Sequence, residues 1–235
     1  METRKRVLGE EHPDTLTSIG NLASMYLNQG WWKEAEQLEV QVLEMTKRVL
    51  GEEDPSTLTS MANLTLMYRN QGRWKEAEQL EFKVSETRKR VLGEEHPDTL
   101  MSMPNLASTY RKQGWWKEAE QLDVKVLETR KRVLWEEHPD TLISMANLAS
   151  TYWNQGWWME AEQLQVQVSG TRKRVLGEEH PYTLTSMGNL TWMYWNQGRW
   201  KEAEQPQVQV LETRKRVLGE EHPYMLRSMG NLMWT

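Results

Sequence analysis

The sequence predicts an all-α fold, a right-handed α-α superhelix (solenoid) of helix-turn-helix repeats, each 42 residues long. Three observations predict it. First, VLGEEHP begins at Val7, Val91, Val175 and Val217, with VLGEEDP at Val49 and VLWEEHP at Val133. Second, Asn-Leu recurs at the same spacing, from Asn21 through Asn63, Asn105, Asn147 and Asn189 to Asn231. Third, Gln-Gly pairs at Gln29, Gln71, Gln113, Gln155 and Gln197 are each followed by Glu-Ala-Glu-Gln. A period in the range of roughly 20–50 residues marks an array in which each unit buries its apolar face only against its neighbours.

Each unit reads as two helices. The first begins at His-Pro-Asp, where Pro13 suits the first helical position and Asp14 places negative charge in the first turn. Leu16, Ile19, Leu22, Ala23 and Tyr26 recur at spacings of three and four, forming one apolar stripe. Gly30 suits the left-handed residue that ends a helix. The second helix runs from about Trp32 through Ala35, Leu38, Val42, Val49 and Leu50, stopping at Gly51. Two amphipathic helices joined by a tight glycine turn give a hairpin, and hairpins stack.

The repeats are expected at 9–50, 51–92, 93–134, 135–176 and 177–218, as one array over 1–235. Residues 1–8 read as a partial second helix and 219–235 as a partial repeat. Neither end carries a polar capping helix, so the chain is expected to be a fragment or truncated copy of a longer array.

Composition narrows the function. The formal net charge is −5, from 29 Lys+Arg against 34 Asp+Glu, unlike the basic excess of a nucleic-acid binder. The sequence has no signal-like segment and no apolar run near 18 residues, so a soluble, cytoplasmic chain is expected, without membrane contact. Cysteine is absent, which removes disulfides, thiolate nucleophiles and Cys-based zinc sites. The five loop histidines from His12 to His222, with Asp54 in the remaining copy, stand at least one repeat apart, roughly 10 Å for stacked helices, too far to share a metal at bond lengths of about 2 Å. Paired carboxylates such as Glu10 and Glu11 read as solvated runs, offset against Arg-Lys-Arg triplets in a charged ridge. No cofactor and no enzymatic activity are expected.

The segment Asn21-Leu22-Ala23, Tyr26, Gln29-Gly30, Trp32, Glu34-Ala35 and Leu43 resembles the tetratricopeptide repeat. The lengthened unit is similar to the kinesin light chain type. The repeated TRKRVLGEEHPDTL string is similar to arrays of fungal nucleotide-binding, innate-immunity-like receptors. The resemblance implies a protein-interaction scaffold, taking a peptide or partner surface in its concave groove as the recognition arm of a larger receptor. The alternatives are a kinesin light chain-like cargo-adaptor arm, and a decayed structural array without a dedicated ligand. No G-x-x-x-x-G-K-[ST] phosphate loop occurs, so nucleotide chemistry would belong to another domain.

By the same resemblance, first helices face the groove. The Asn row, Asn21, Asn63, Asn105, Asn147, Asn189 and Asn231, could hold a peptide backbone through its amides, or could simply bond a neighbouring helix. Arg69, Arg111 and Lys112 could grip a carboxylate with Asn63 and Asn105. Trp153, Trp192, Trp195 and Trp234 occupy groove rows further on. Trp153 and Trp195 stand where Arg69 and Arg111 stand in other repeats, and Trp31, Trp115 and Trp157 where Arg73 and Arg199 stand. A single base change converts Arg to Trp at some codons, so drift is the favoured explanation of these swaps. Trp32, Trp74, Trp116, Trp158 and Trp200 are expected in the core, as are Met61, Met103, Met145, Met187 and Met229. Pro104 and Pro206 fall inside helices and are expected to kink or break them, and Gly170 weakens another.

Overall fold

Helix punctuation recurs in register, and the helices follow it. The computed structural model describes residues 2–219, and by packing the chain divides into two units, Met1–Leu122 and Asp123–Thr235. The first holds α1 (Glu2–Leu8), α2 (Pro13–Asn28), α3 (Trp32–Leu50), α4 (Pro55–Asn70), α5 (Trp74–Leu92) and α6 (Pro97–Gln113). The division falls within α7 (Trp116–Leu134), and the second unit continues with α8 (Pro139–Gln155), α9 (Trp158–Leu176), α10 (Pro181–Asn196) and α11 (Trp200–Leu218). No strand occurs among the described residues. In the first unit α2 to α6 pack each on the next; in the second, α8 to α11 do the same.

Each first helix starts where a Pro occupies its first position and the preceding side chain caps it. Nδ1 of His12, His96, His138 and His180 accepts the backbone N–H two residues on, at 3.1–3.2 Å. Asp54 does the same with its carboxylate at 2.8 Å, so the loop histidines are N-caps and Asp54 is an equivalent cap. His222 lies outside the described residues. The second helices end on glycines with φ between 84° and 93°, a region open to residues without Cβ. Trp135 occupies that place after α7 with φ 66°, alone in positive φ among the described non-glycine residues. Its carbonyl still accepts the Thr141 hydroxyl at 2.8 Å, as the Gly51 carbonyl does from Thr57 at 2.8 Å. The loop thus keeps its glycine geometry around a strained tryptophan.

The core follows the apolar stripe. Ile19, Met61, Met103, Met145 and Met187 are buried as expected, and Met229 lies outside the described residues. Three assignments are corrected. Trp32, Trp158 and Trp200 are exposed, and Trp74 and Trp116 only half-buried. Each is the first residue of its helix, where side chains lean towards the N-terminus and over the turn rather than into the core. The core position passes instead to the alanine three residues on: Ala35, Ala77, Ala119, Ala161 and Ala203 are fully buried. Val49 and Leu50, at the end of α3, are also exposed. Finally, α6 and α11 run unbroken through Pro104 and Pro206, each keeping its remaining turns as one helix.

Two stability outcomes follow. Trp135→Gly relieves the left-handed strain and should raise stability by about 1 kcal/mol in denaturant melts; a lower midpoint would contradict the strain. Pro206→Leu restores a helix N–H and a side chain like the half-buried Leu38, Leu80 and Leu164. It should add about 3 kcal/mol, and superimposable melts would show that α11 does not feel the proline.

Candidate functional site: the polar groove along the first helices

The second helices carry a buried polar side chain at one recurring place in each repeat. Glu39, Glu81, Asp123, Gln165 and Gln207 are all buried. They sit four residues after the core alanine, one helical turn on and on the same face. They are not legible from apolar periodicity, in which an acid or amide reads as solvated. A polar residue recurring at the repeat period within a buried stripe is the signal that would have found them.

What these groups meet differs between repeats. In α4 and α5, Arg69 lies 3.6 Å from Glu81 and donates to the Ser108 hydroxyl at 3.0 Å. Its charge is therefore engaged within the fold, which weakens its availability as a carboxylate clamp. Burial pushes the Glu81 carboxyl up, while Thr109 and Arg69 pull it down. Glu81 lines a cavity of about 280 Å³ with Asn63, Asn105, Arg69 and Arg88. Around Glu39 the setting is different. Asn63 Nδ2 donates to Glu39 Oε1 at 3.2 Å, and Oε2 has no hydrogen-bond partner; Glu81 Oε2 has none either, but the Arg69 guanidinium stands beside that carboxylate. Burial pushes the Glu39 carboxyl up to about 7, partly offset by the Asn63 bond. A cavity of about 430 Å³ opens over it, lined by Asn21, Ser24, Thr46, Ser60 and Asn63 among others.

Within the second unit the ladder is neutral or hydroxyl-bound. Asp123 accepts the Thr151 hydroxyl at 2.6 Å, and Gln165 Nε2 donates to the Ser186 carbonyl at 3.0 Å. Gln165 lines a cavity of about 170 Å³ with Trp153, Asn189 and Trp192. The rings of Trp153 and Trp192 lie 5.0 Å apart, and Trp192 keeps half its surface exposed.

The structure therefore brings Asn21 with Asn63, Asn63 with Asn105, and Asn189 with Trp153 and Trp192. Asn147 is half-buried on α8, and its backbone carbonyl accepts the Thr151 hydroxyl at 3.2 Å. Trp195 packs edge-on against Trp200 at 4.7 Å, outside that cavity. Arg111 is half-buried and Lys112 exposed in the last turn of α6. Asn231 and Trp234 lie outside the described residues.

The second Arg-to-Trp row has a local explanation. Arg73 and Arg199 stack on Tyr68 and Tyr194, at 4.1 and 4.5 Å from the ring centres. Trp31, Trp115 and Trp157 stack on Tyr26, Tyr110 and Tyr152 at 5.2–5.6 Å. Ring-on-ring contact replaces cation-on-ring contact, and both stabilise.

The buried carboxyl has a consequence for folding. Its folded-state value, about 7, lies above the ordinary carboxyl value of 4.5. The fold therefore gains from holding this proton below pH 4.5 and loses that gain as pH rises to about 7. Relative to Glu39→Gln, the chain should lose on the order of 3 kcal/mol across this window, measured by denaturant melts at each pH. A pH-independent difference would show that Glu39 is not desolvated.

The tetratricopeptide repeat family matches residues 15–56, 57–98, 99–140, 141–182 and 183–224. A crystal structure of nearly identical tetratricopeptide-like repeats, assigned to a Podosopora anserina kinesin light chain, is 33% identical. That match covers 88% of this chain and 98% of that one, with a TM-score of 0.78. BtubC (BKLC) from P. vanneervenii is 20% identical over 94% of this chain and 89% of that one, with a TM-score of 0.75, a likeness of fold alone. A Rap protein complexed with competence and sporulation factor is likewise similar in fold, at 11% identity, 97% and 70% coverage and a TM-score of 0.67. No match is found among curated proteins. The fold class is thus the all-α superhelical one of helix-turn-helix repeats, and the chain belongs to the tetratricopeptide repeat family.

Proposed function

We propose that this chain, a tetratricopeptide array and so of a protein-interaction scaffold type, holds an extended peptide, or a segment of a partner protein, along its first helices, as the recognition arm of a larger receptor in the cytoplasm. The observation that carries the groove reading is the cavity where Asn189 meets Trp153 and the half-exposed Trp192. An amide supplies both donor and acceptor to a passing backbone, and an exposed indole supplies anchoring area. A cargo-adaptor role of the kinesin light chain kind is the second reading, favoured by the 33% identity to repeats assigned to such a protein.

The test uses a peptide selected by display against the full chain. Asn147→Ala with Asn189→Ala should weaken binding about thirtyfold, the loss typical of a true anchor. Trp153→Arg with Trp195→Arg separates anchoring from neutral aromatics: equal loss makes the indoles part of the site, and unchanged affinity leaves the amides alone in it. Lys173→Ala, on an exposed position of α9, should bind like the parent. Loss confined to Lys173→Ala would place the partner elsewhere and defeat the groove reading.

A further inference from the structure

Comparison of the repeats around their buried acids shows that the first lacks both cations the second possesses. Twelve residues before Glu81 stands Arg69, and the same interval before Glu39 gives Leu27. Seven residues after Glu81 stands Arg88, and the same interval after Glu39 gives Thr46. At that second position Arg88, Arg130 and Arg172 each donate to a backbone carbonyl in the first turn of the next first helix, at 2.9–3.3 Å. Thr46 instead turns back to the Leu43 carbonyl at 3.1 Å. Where Arg69 and Arg88 line the cavity beside Glu81, it measures about 280 Å³; beside Glu39 it measures about 430 Å³.

The floor of the larger cavity is built to meet a donor. Glu39 is 1% exposed, and its Oε2 has no hydrogen-bond partner. A Cβ on Gly20 would stand 4.0 Å from that oxygen, so the absence of a side chain there leaves room above the carboxylate. Hydroxyls of Ser24 and Ser60 and the amides of Asn21 and Asn63 line the walls. A buried carboxylate is costly unless a charge or several donors meet it. Among the described residues lining this cavity none is a lysine or arginine.

We propose that this cavity is a binding site for the lysine or arginine side chain of an extended peptide, with Glu39 as its counter-ion. The incoming cation takes the place that Arg69 holds beside Glu81 in the next repeat, and the peptide backbone runs past Asn21 and Asn63. The inference rests on the groove reading above and adds a charge preference to its N-terminal end. It also gives the site a pH dependence. The carboxyl is protonated at low pH and must ionise to hold a cation, so binding strengthens as pH rises through about 7. From α2 and α4 only hydroxyl, amide and apolar groups line the cavity; the remaining ionisable lining group is Glu11, in the loop before α2, which is paired with Arg48.

The experiment is an NMR titration of the full chain, reading the Asn63 side-chain amide. Its probes are capped pentapeptides with lysine, arginine or neutral norleucine between alanines, and n-butylammonium alone. The cationic peptides should bind at least tenfold more tightly than the norleucine peptide, and about tenfold more tightly at pH 8 than at pH 6. Glu39→Gln should abolish both differences; Gln occupies the same place at Gln165 and Gln207, so this variant folds. Thr46→Arg, which restores the arginine of the other repeats, should close the site by supplying the cation internally. Three outcomes would overturn the proposal: norleucine binding as well as lysine, Glu39→Gln leaving the preference intact, or n-butylammonium binding as tightly as the peptides, which would make the ligand a free amine. None of these touches the Asn147 and Asn189 test, so the groove reading and the cation site fail separately.

Discussion

Three successive helices meet at an alanine, and the rest of the architecture depends on that contact. In the first unit Ala23 of α2, Ala35 of α3 and Met67 of α4 lie in one cluster; in the second, Ala149 of α8, Ala161 of α9 and Met193 of α10 repeat the arrangement. The second-helix alanine is fully buried in every described repeat. A small residue there lets the helix axes approach, and a methionine from the following first helix fills what remains. A hairpin alone has nothing to cover this stripe. The following hairpin supplies the cover, and the separation it sets fixes where the groove side chains of neighbouring repeats stand relative to one another.

Because that contact repeats, helix limits were legible in the sequence. Proline at a first position, a capping residue before it and glycine after the last turn each act on the backbone locally, so Pro13, Gly30 and Gly51 marked boundaries without tertiary information. What was not legible depends on direction and on neighbours. Trp32 has an apolar identity, yet its place at the first turn points it over the preceding loop rather than inward. Pro206 lacks a donor, yet α11 continues through it, with Ala203 before it and Val210 after it both buried. The buried Glu39 was invisible because period counting rewards apolar residues and reads an acid as solvated.

The polar ladder behaves as a set of paired choices. Arg69 stands with Glu81, and in sequence Arg111 stands with Asp123; Trp153 stands with Gln165, and Trp195 with Gln207. Replacing an arginine by tryptophan beside a buried carboxylate would strand the charge, at a cost of several kcal/mol. Replacing the carboxylate by glutamine removes that cost, and Gln165 then finds a backbone acceptor at Ser186. The charge pairs and the neutral pairs are two self-consistent states of one position. Glu39 with Leu27 belongs to neither: burial pushes its carboxyl up to about 7, and no arginine stands at that place to pull it back.

The two Arg-to-Trp rows therefore answer the question of drift differently. In the turn row, Trp31, Trp115 and Trp157 take up the tyrosine face that Arg73 and Arg199 cover elsewhere, and no companion change is required. Single substitutions there cost little, so neutral exchange suffices. In the groove row, Trp153 and Trp195 stand with glutamine in place of the acid, and changing one member of such a pair alone would leave a stranded charge or an unpaired arginine. Such a state is unfavourable in proportion to how deeply the acid would be buried, and the position is buried in every described repeat. An indole at that position also meets Trp192 and opens onto Asn189, converting a charged groove in one unit into an aromatic one in the other. Charged pairs and aromatic contacts are thus two chemically different surfaces that one repeated scaffold can carry.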